Sequence, residues 1–164
     1  VAKRSGFAPE YIEEHGEYAN ARNSLLFYLA TAERYSHDNL SMHDQLYITQ
    51  SKIIEELAEK GKCVIVGRCA DYILAGRDNT INVFVYAPRE TRVNRIMARR
   101  NLSEAEALKA ITTSDKERGN HYFRYTDQKW GKAQNYDICI NSALMGIEKT
   151  AEMLTAMAKI EVRA

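Results

Sequence analysis

The stretch KCVIVGRCADYIL, Lys62 to Leu74, runs four apolar residues straight into a glycine and an arginine. Cys63 to Val66, three of them β-branched, read as a strand of the kind covered on both faces in a parallel sheet. Two similar runs follow, INVFVYA at Ile81–Ala87 and YDICIN at Tyr136–Asn141. Helical spacing fills the intervals. In His43–Lys60, Leu46, Ile53, Ile54, Leu57 and Ala58 recur near a 3.6-residue period, and Gly61 ends the helix. Pro88–Arg100, Ser103 to about Tyr122 and Gly146 to about Ile160 are also predicted helices, and Ser103 with Glu106 forms an S-x-x-E capping box. Pro9, followed by Glu10, Glu13 and Glu14, predicts a helix near the start, and Asn20–Asp44 a short helix and a loop. Strands alternating with helices imply an α/β fold with a mainly parallel sheet.

With 164 residues and 45% hydrophobic content, the chain is expected to form one domain with a substantial core. Its 23 Lys+Arg against 22 Asp+Glu leave a net charge of +1. No global field then draws it to nucleic acid or a membrane, and any basic function must be local. Cys63, Cys69 and Cys139 lack C-x-x-C spacing and read as free, buried thiols of a reducing cytosol. His15, His37, His43 and His121 show no zinc-binding spacing. No apolar run reaches the roughly 18 residues of a membrane span and no signal peptide is visible, so a soluble, cytoplasmic protein is expected. Residue 1 is Val rather than Met, from which the chain is expected to begin inside a longer protein.

The local charge lies in three places. Arg68 follows Gly67 at the carboxyl end of a predicted strand, where open α/β sheets bind ligands and where glycine permits close approach. The same arginine also suits a strand end that has simply reached water. Between Arg89 and Arg100 stand five arginines, no lysine and one opposing Glu90. Arg92, Arg95 and Arg99 share one helix face, which is either a solvated basic face or a phosphate-binding one; guanidinium is the better bidentate partner for phosphate. Further on, Asp115, Lys116, Arg118 and Arg124 are interleaved with Tyr122, Phe123, Tyr125 and Trp130. Such a segment can stack single-stranded nucleic acid, but more often it docks on the core. Gly119 and Gly131 bracket it, as they would a lid.

Taken together, VIVGRCADYIL, NVFVYAPRETRVNRI, the D-x-x-R of Asp115 to Arg118, and NYDICINSALMGIEKT resemble the cytidylate kinase-like branch of the P-loop nucleoside monophosphate kinases, over roughly residues 43 to 155. The resemblance implies a three-layer α/β/α domain over residues 1–164. An acceptor-side insertion would occupy about 1–60, the core about 61–100 and 135–160, and the lid about 100–134. It implies phosphoryl transfer from ATP, with Mg2+, to a nucleoside monophosphate such as CMP or dCMP, with nucleotides as partners. Gly67, Arg68 and Asp71 would bind the acceptor; Arg92, Arg95 and Arg118, supported by Asp115, would act on the transferring phosphoryl group. Two departures stand out. Val66 occupies the place where cytidylate kinases proper carry Asp, and G-x-x-x-x-G-K-[ST] occurs nowhere in these 164 residues. The resemblance therefore implies a first strand, phosphate-binding loop and helix lying before Val1. A nucleotide-binding module without turnover is the alternative, and a nucleic-acid-binding domain a third.

Overall fold

A computed structural model describes residues 41–159. The helix expected from Pro9, and most of the Asn20–Asp44 reading, lie outside the described residues. The described residues divide into two compact units, 41–75 with 116–130 and 76–115 with 131–159. One long helix, α4 (Glu104–Thr126), contributes its first half to the second unit and its last half to the first.

In the first unit, α1 (Met42–Lys60) starts where Ser41 caps it. The Ser41 hydroxyl accepts the Asp44 N–H at 3.2 Å and donates to Asp44 Oδ2 at 2.6 Å. The helix ends at Gly61, as its sequence predicts. After it, residues 62–66 form no strand, which corrects the reading of CVIV. A strand persists only through ladder hydrogen bonds, and among the described residues this segment pairs with none. Its alternation survives: Val64 and Val66 are 93% and 81% exposed, while Ile65 packs on Ile54, Ala70 and Leu74. A short helix, α2 (Ala70–Ile73), follows. A second cluster gathers Tyr47 from α1, Cys69, and Tyr122 and Tyr125 from α4, with Ile73 and Trp130 against it; of the three cysteines expected to be buried Cys69 is, whereas Cys63 and Cys139 are exposed. The Tyr47 and Tyr125 rings stack at 3.9 Å, nearly parallel.

The second unit holds a parallel pair of strands, β1 (Val83–Tyr86) and β2 (Ile138–Asn141), in register from Val83 opposite Ile138 to Tyr86 opposite Asn141. With helices making up most of the rest, the described fold is α/β with a small parallel sheet. From β1 the chain enters α3 (Arg89–Arg100), which closes on Asn101 in the left-handed region, the non-glycine residue that tolerates it best. The capping box then forms as expected: the Ser103 N–H donates to Glu106 Oε2 at 2.9 Å. The α3–α4 turn buries Val93, Ala107 and Ile111 together. Gly131, at φ 73°, lies so close to the Phe84 ring that a Cβ would stand 2.9 Å from it. The last helix, α5 (Ser142–Met157), is broken at Gly146, where the sequence reading placed its start.

The lid segment also needs correction. Helix α4 runs unbroken through Gly119 to Thr126, so Gly119 is helix interior and no hinge. His121, Tyr122, Tyr125 and Thr126 recur on one helix stripe and all are buried, which carries the helix past its expected end.

Candidate functional site

Gly67, Arg68 and Cys69 have φ of 69°, 59° and 55°, three successive residues in the left-handed region. Glycine accepts this freely, whereas for Arg68 and Cys69 it costs roughly 1–2 kcal/mol each. The surrounding packing enforces it. Cys69 is 4% exposed among the tyrosines, its carbonyl accepts the N–H groups of Tyr72 and Ile73, and Ala70 donates to the Gly67 carbonyl at 3.1 Å. Such over-determined strain fixes where a side chain leaves the backbone, and it concentrates at functional positions. Arg68 is therefore half-buried on a rigid turn, with Nη1 among the buried atoms. Asp71, one helical turn on, accepts the Tyr122 hydroxyl at 2.7 Å.

Cations gather around the tyrosine cluster. The His121 ring stands edge-on to Tyr125 at 4.9 Å and to Tyr47 at 6.4 Å. Burial, reinforced by the charges of Arg68, His43 and Arg124, pushes its pKa down to about 4, so the imidazole is neutral at pH 7. Burial, and then the charge of Asp71, pushes the Cys69 thiol up to about 12 against the pull of Arg68, so it is no nucleophile. Arg124 donates to Asp44 Oδ1 at 2.8 Å, and the Tyr125 hydroxyl donates to the same oxygen at 3.2 Å.

The remaining candidates belong to the second unit, apart from Arg118, which lies exposed on the later half of α4. Arg92 grips Asp115 with both arms of its guanidinium, at 2.7 and 2.6 Å, and that hydrogen bonding holds the arginine's pKa above its ordinary value. Arg95 reaches Ser142 instead, donating to its hydroxyl at 2.9 Å and its carbonyl at 3.0 Å. Ser142 in turn donates to the Tyr86 carbonyl at 3.2 Å, tying the ends of β1 and β2 together. The structure thus brings Gly67, Arg68 and Asp71 into one group and Arg92 and Asp115 into another, with Arg95 anchored at the strand ends. Arg89, Arg99 and Arg100 are exposed, and the last two complement the C-terminal dipole of α3.

A family model described as the cytidylate kinase-like family matches residues 1–144. The chain belongs to the cytidylate kinase-like family. A cytidylate kinase of Ignicoccus hospitalis is 27% identical over 106 residues, which are 65% of this chain and 61% of that one. A uronate isomerase of Corynebacterium glutamicum is 25% identical over 123 residues, 75% of this chain and 24% of that protein. The chain thus matches less than two thirds of the length of either relative. A crystal structure of an uncharacterized protein from Eubacterium ventriosum superposes with a TM-score of 0.68 at 25% identity, covering 96% of this chain and 86% of that one. Membership in the family points, in coarse terms, to nucleotide kinase chemistry.

Among the described residues no three His, Cys, Asp or Glu side chains gather as ligands, and Asp71 and Asp115 are engaged by Tyr122 and Arg92. Among the described residues no helix is long and apolar enough to cross a membrane. Sequence reading missed His121, Asp44 and Ser142 as partners of this chemistry. For His121 the available signal was its i, i+4 spacing to Tyr125 within an aromatic helical stripe. The Asp44–Arg124 and Arg95–Ser142 contacts link residues 80 and 47 positions apart and left no local pattern.

Proposed function

We propose that this member of the cytidylate kinase-like family serves phosphoryl transfer from ATP to a nucleoside monophosphate, with CMP or dCMP as acceptor. This chain supplies the acceptor-binding and charge-neutralising side. The observation that carries the reading is the strained turn that fixes Arg68 beside Gly67. A planar, permanently charged fork held on rigid backbone is suited to grip a phosphomonoester in two hydrogen bonds. Asp71, oriented by Tyr122, lies one turn on and helps to orient the acceptor.

Catalysis then rests on positioning and charge neutralisation. Arg92, Arg95 and Arg118 meet the transferring group, and Asp115 holds Arg92 until the phosphate displaces it. Such contacts are made in the transition state, so removing one of these arginines should lower turnover more than CMP affinity. Equal losses in both for all three variants would mark them as structural. ATP-coupled assays with CMP, dCMP, UMP and AMP, run on this chain and on the full-length gene product, test the reading as a whole.

Nucleotide binding without turnover is the second reading, favoured by Val66 at the place where cytidylate kinases proper carry Asp. CMP binding with no turnover in the full-length protein would establish it. Nucleic-acid stacking has less support. Tyr122 and Tyr125 are each 4% exposed and Trp130 packs against them, which leaves few ring faces for bases.

A further inference from the structure

We propose that His121 is a second ligand of the anion that Arg68 meets: a phosphomonoester docked on Arg68 also accepts a hydrogen bond from the His121 imidazole, which becomes charged as it does so. This rests on the acceptor-site reading of Arg68 above.

His121 is 6% exposed, and among the described residues neither Nδ1 nor Nε2 has a hydrogen-bond partner. Buried imidazoles are ordinarily paired, so two open nitrogens in a well-packed cluster call for an explanation. The ring sits against Tyr125 and Tyr47, and both tyrosines share one buried cluster with Cys69, the residue after Arg68. The imidazole and the arginine turn therefore belong to one cluster within one unit.

The ionisable neighbours divide unevenly. From α1 come His43, Asp44 and Tyr47; from the turn and α2, Arg68, Cys69 and Asp71; from α4, Glu117 and Arg118 one turn earlier, then Tyr122, Arg124 and Tyr125. Asp44 is occupied by Ser41, Arg124 and Tyr125, and Asp71 by Tyr122. The charges acting on the imidazole are those of Arg68, His43 and Arg124, and all three oppose its protonation. A ring with two open nitrogens in a field of cations suits an anion rich in acceptor oxygens. A phosphomonoester supplies both the compensating charge and the acceptor. Its second ionisation lies near pH 6, so the proton comes from solvent or from the ligand's own P–OH, and nothing else is consumed.

The experiment follows the histidine side chains of the whole chain by 15N-edited NMR over pH 4 to 8, with His121→Gln to assign the signal. Spectra are taken free, with CMP, with inorganic phosphate, and with cytidine as the uncharged probe. The expected result is an imidazole that stays neutral to near pH 4 when free and titrates at least two units higher with CMP or phosphate. Cytidine should leave it unmoved. Calorimetry at pH 6 in buffers of different ionisation enthalpy should show proton uptake with CMP, lost in His121→Gln together with about five- to twentyfold of affinity.

Bound CMP with no shift at His121 would overturn the proposal, and so would a shift of equal size with cytidine. Both read on the wild-type chain, so they stand even if the variant folds poorly. Arg68→Lys separates the two layers. If CMP binding survives that change undiminished, or CMP never binds, the acceptor-site reading fails and this inference with it. If Arg68→Lys weakens CMP while His121 stays silent, this inference alone fails.

Discussion

Arg124 and Asp44 meet at 2.8 Å with side chains 12% and 11% exposed, whereas Arg92 and Asp115 meet at 2.6 Å with side chains 32% and 31% exposed. Sequence chemistry makes the pairs equivalent, but burial separates them. The first pair is largely shielded from water, and its carboxylate is shared with Ser41 and Tyr125. The second is half in solvent, where an ion pair adds little to stability. Arg124–Asp44 is the buried pair of the first unit, and Arg92–Asp115 the more exposed pair on which the proposed phosphoryl transfer draws.

Removing one partner from each pair is the most severe test of this contrast. Asp44→Ala removes a nearly buried carboxylate that Ser41, Arg124 and Tyr125 share, and should cost about 3–5 kcal/mol of unfolding free energy by urea denaturation. Asp115→Ala should cost under about 1 kcal/mol. Similar losses from the two variants would erase the distinction.

The next largest effect is a pH dependence confined to the buried cluster. Folding lowers the His121 pKa from 6.5 to about 4, so the unfolded chain binds more protons between those values. The stabilising contribution is fully present above about pH 6.5 and drains away as pH falls toward 4, by about 3 kcal/mol in all. His121→Phe should flatten that slope in thermal melts taken across the range. An unchanged slope would mean the buried imidazole is not the group responsible.

Smaller effects concern the half-exposed pair. Asp115→Asn leaves the helix contact but weakens the hold on Arg92, and should change stability by only a few tenths of a kcal/mol while lowering turnover in the full-length protein. Trp130, packed on the tyrosine cluster, should report occupation of the Arg68 turn as a fluorescence change on CMP addition. A silent tryptophan alongside measurable binding would place the ligand elsewhere.

What the sequence disclosed depended on how local the cause was. The runs at 81–87 and 136–141 became β1 and β2 because each has the other as a ladder partner. CVIV has the same composition and no partner among the described residues, so composition alone misled. The helix starting at Ser103 was legible through four neighbouring residues, whereas its end was not. Tertiary burial of His121, Tyr122 and Tyr125 carried the helix past the end expected near Tyr122. Arg68 could be singled out from its place after Gly67, but its left-handed backbone could not, since arginine rarely adopts it. The partners of Arg92 and Arg95 were hidden for a simpler reason: any of several acidic or hydroxyl residues could have met them, and only packing chose Asp115 and Ser142.

The central claim is that the turn at Gly67–Cys69 exists to present Arg68 to a nucleotide phosphate, and calorimetric titration of CMP tests it most directly. Wild type should bind CMP more tightly than cytidine. Arg68→Lys should lose on the order of 1.5–3 kcal/mol of binding free energy, although the charge is retained, because an ammonium cannot reproduce the two-armed contact. Binding of CMP that is unchanged in a folded Arg68→Ala variant would contradict the account and return Arg68 to a residue that merely meets water at the end of a segment.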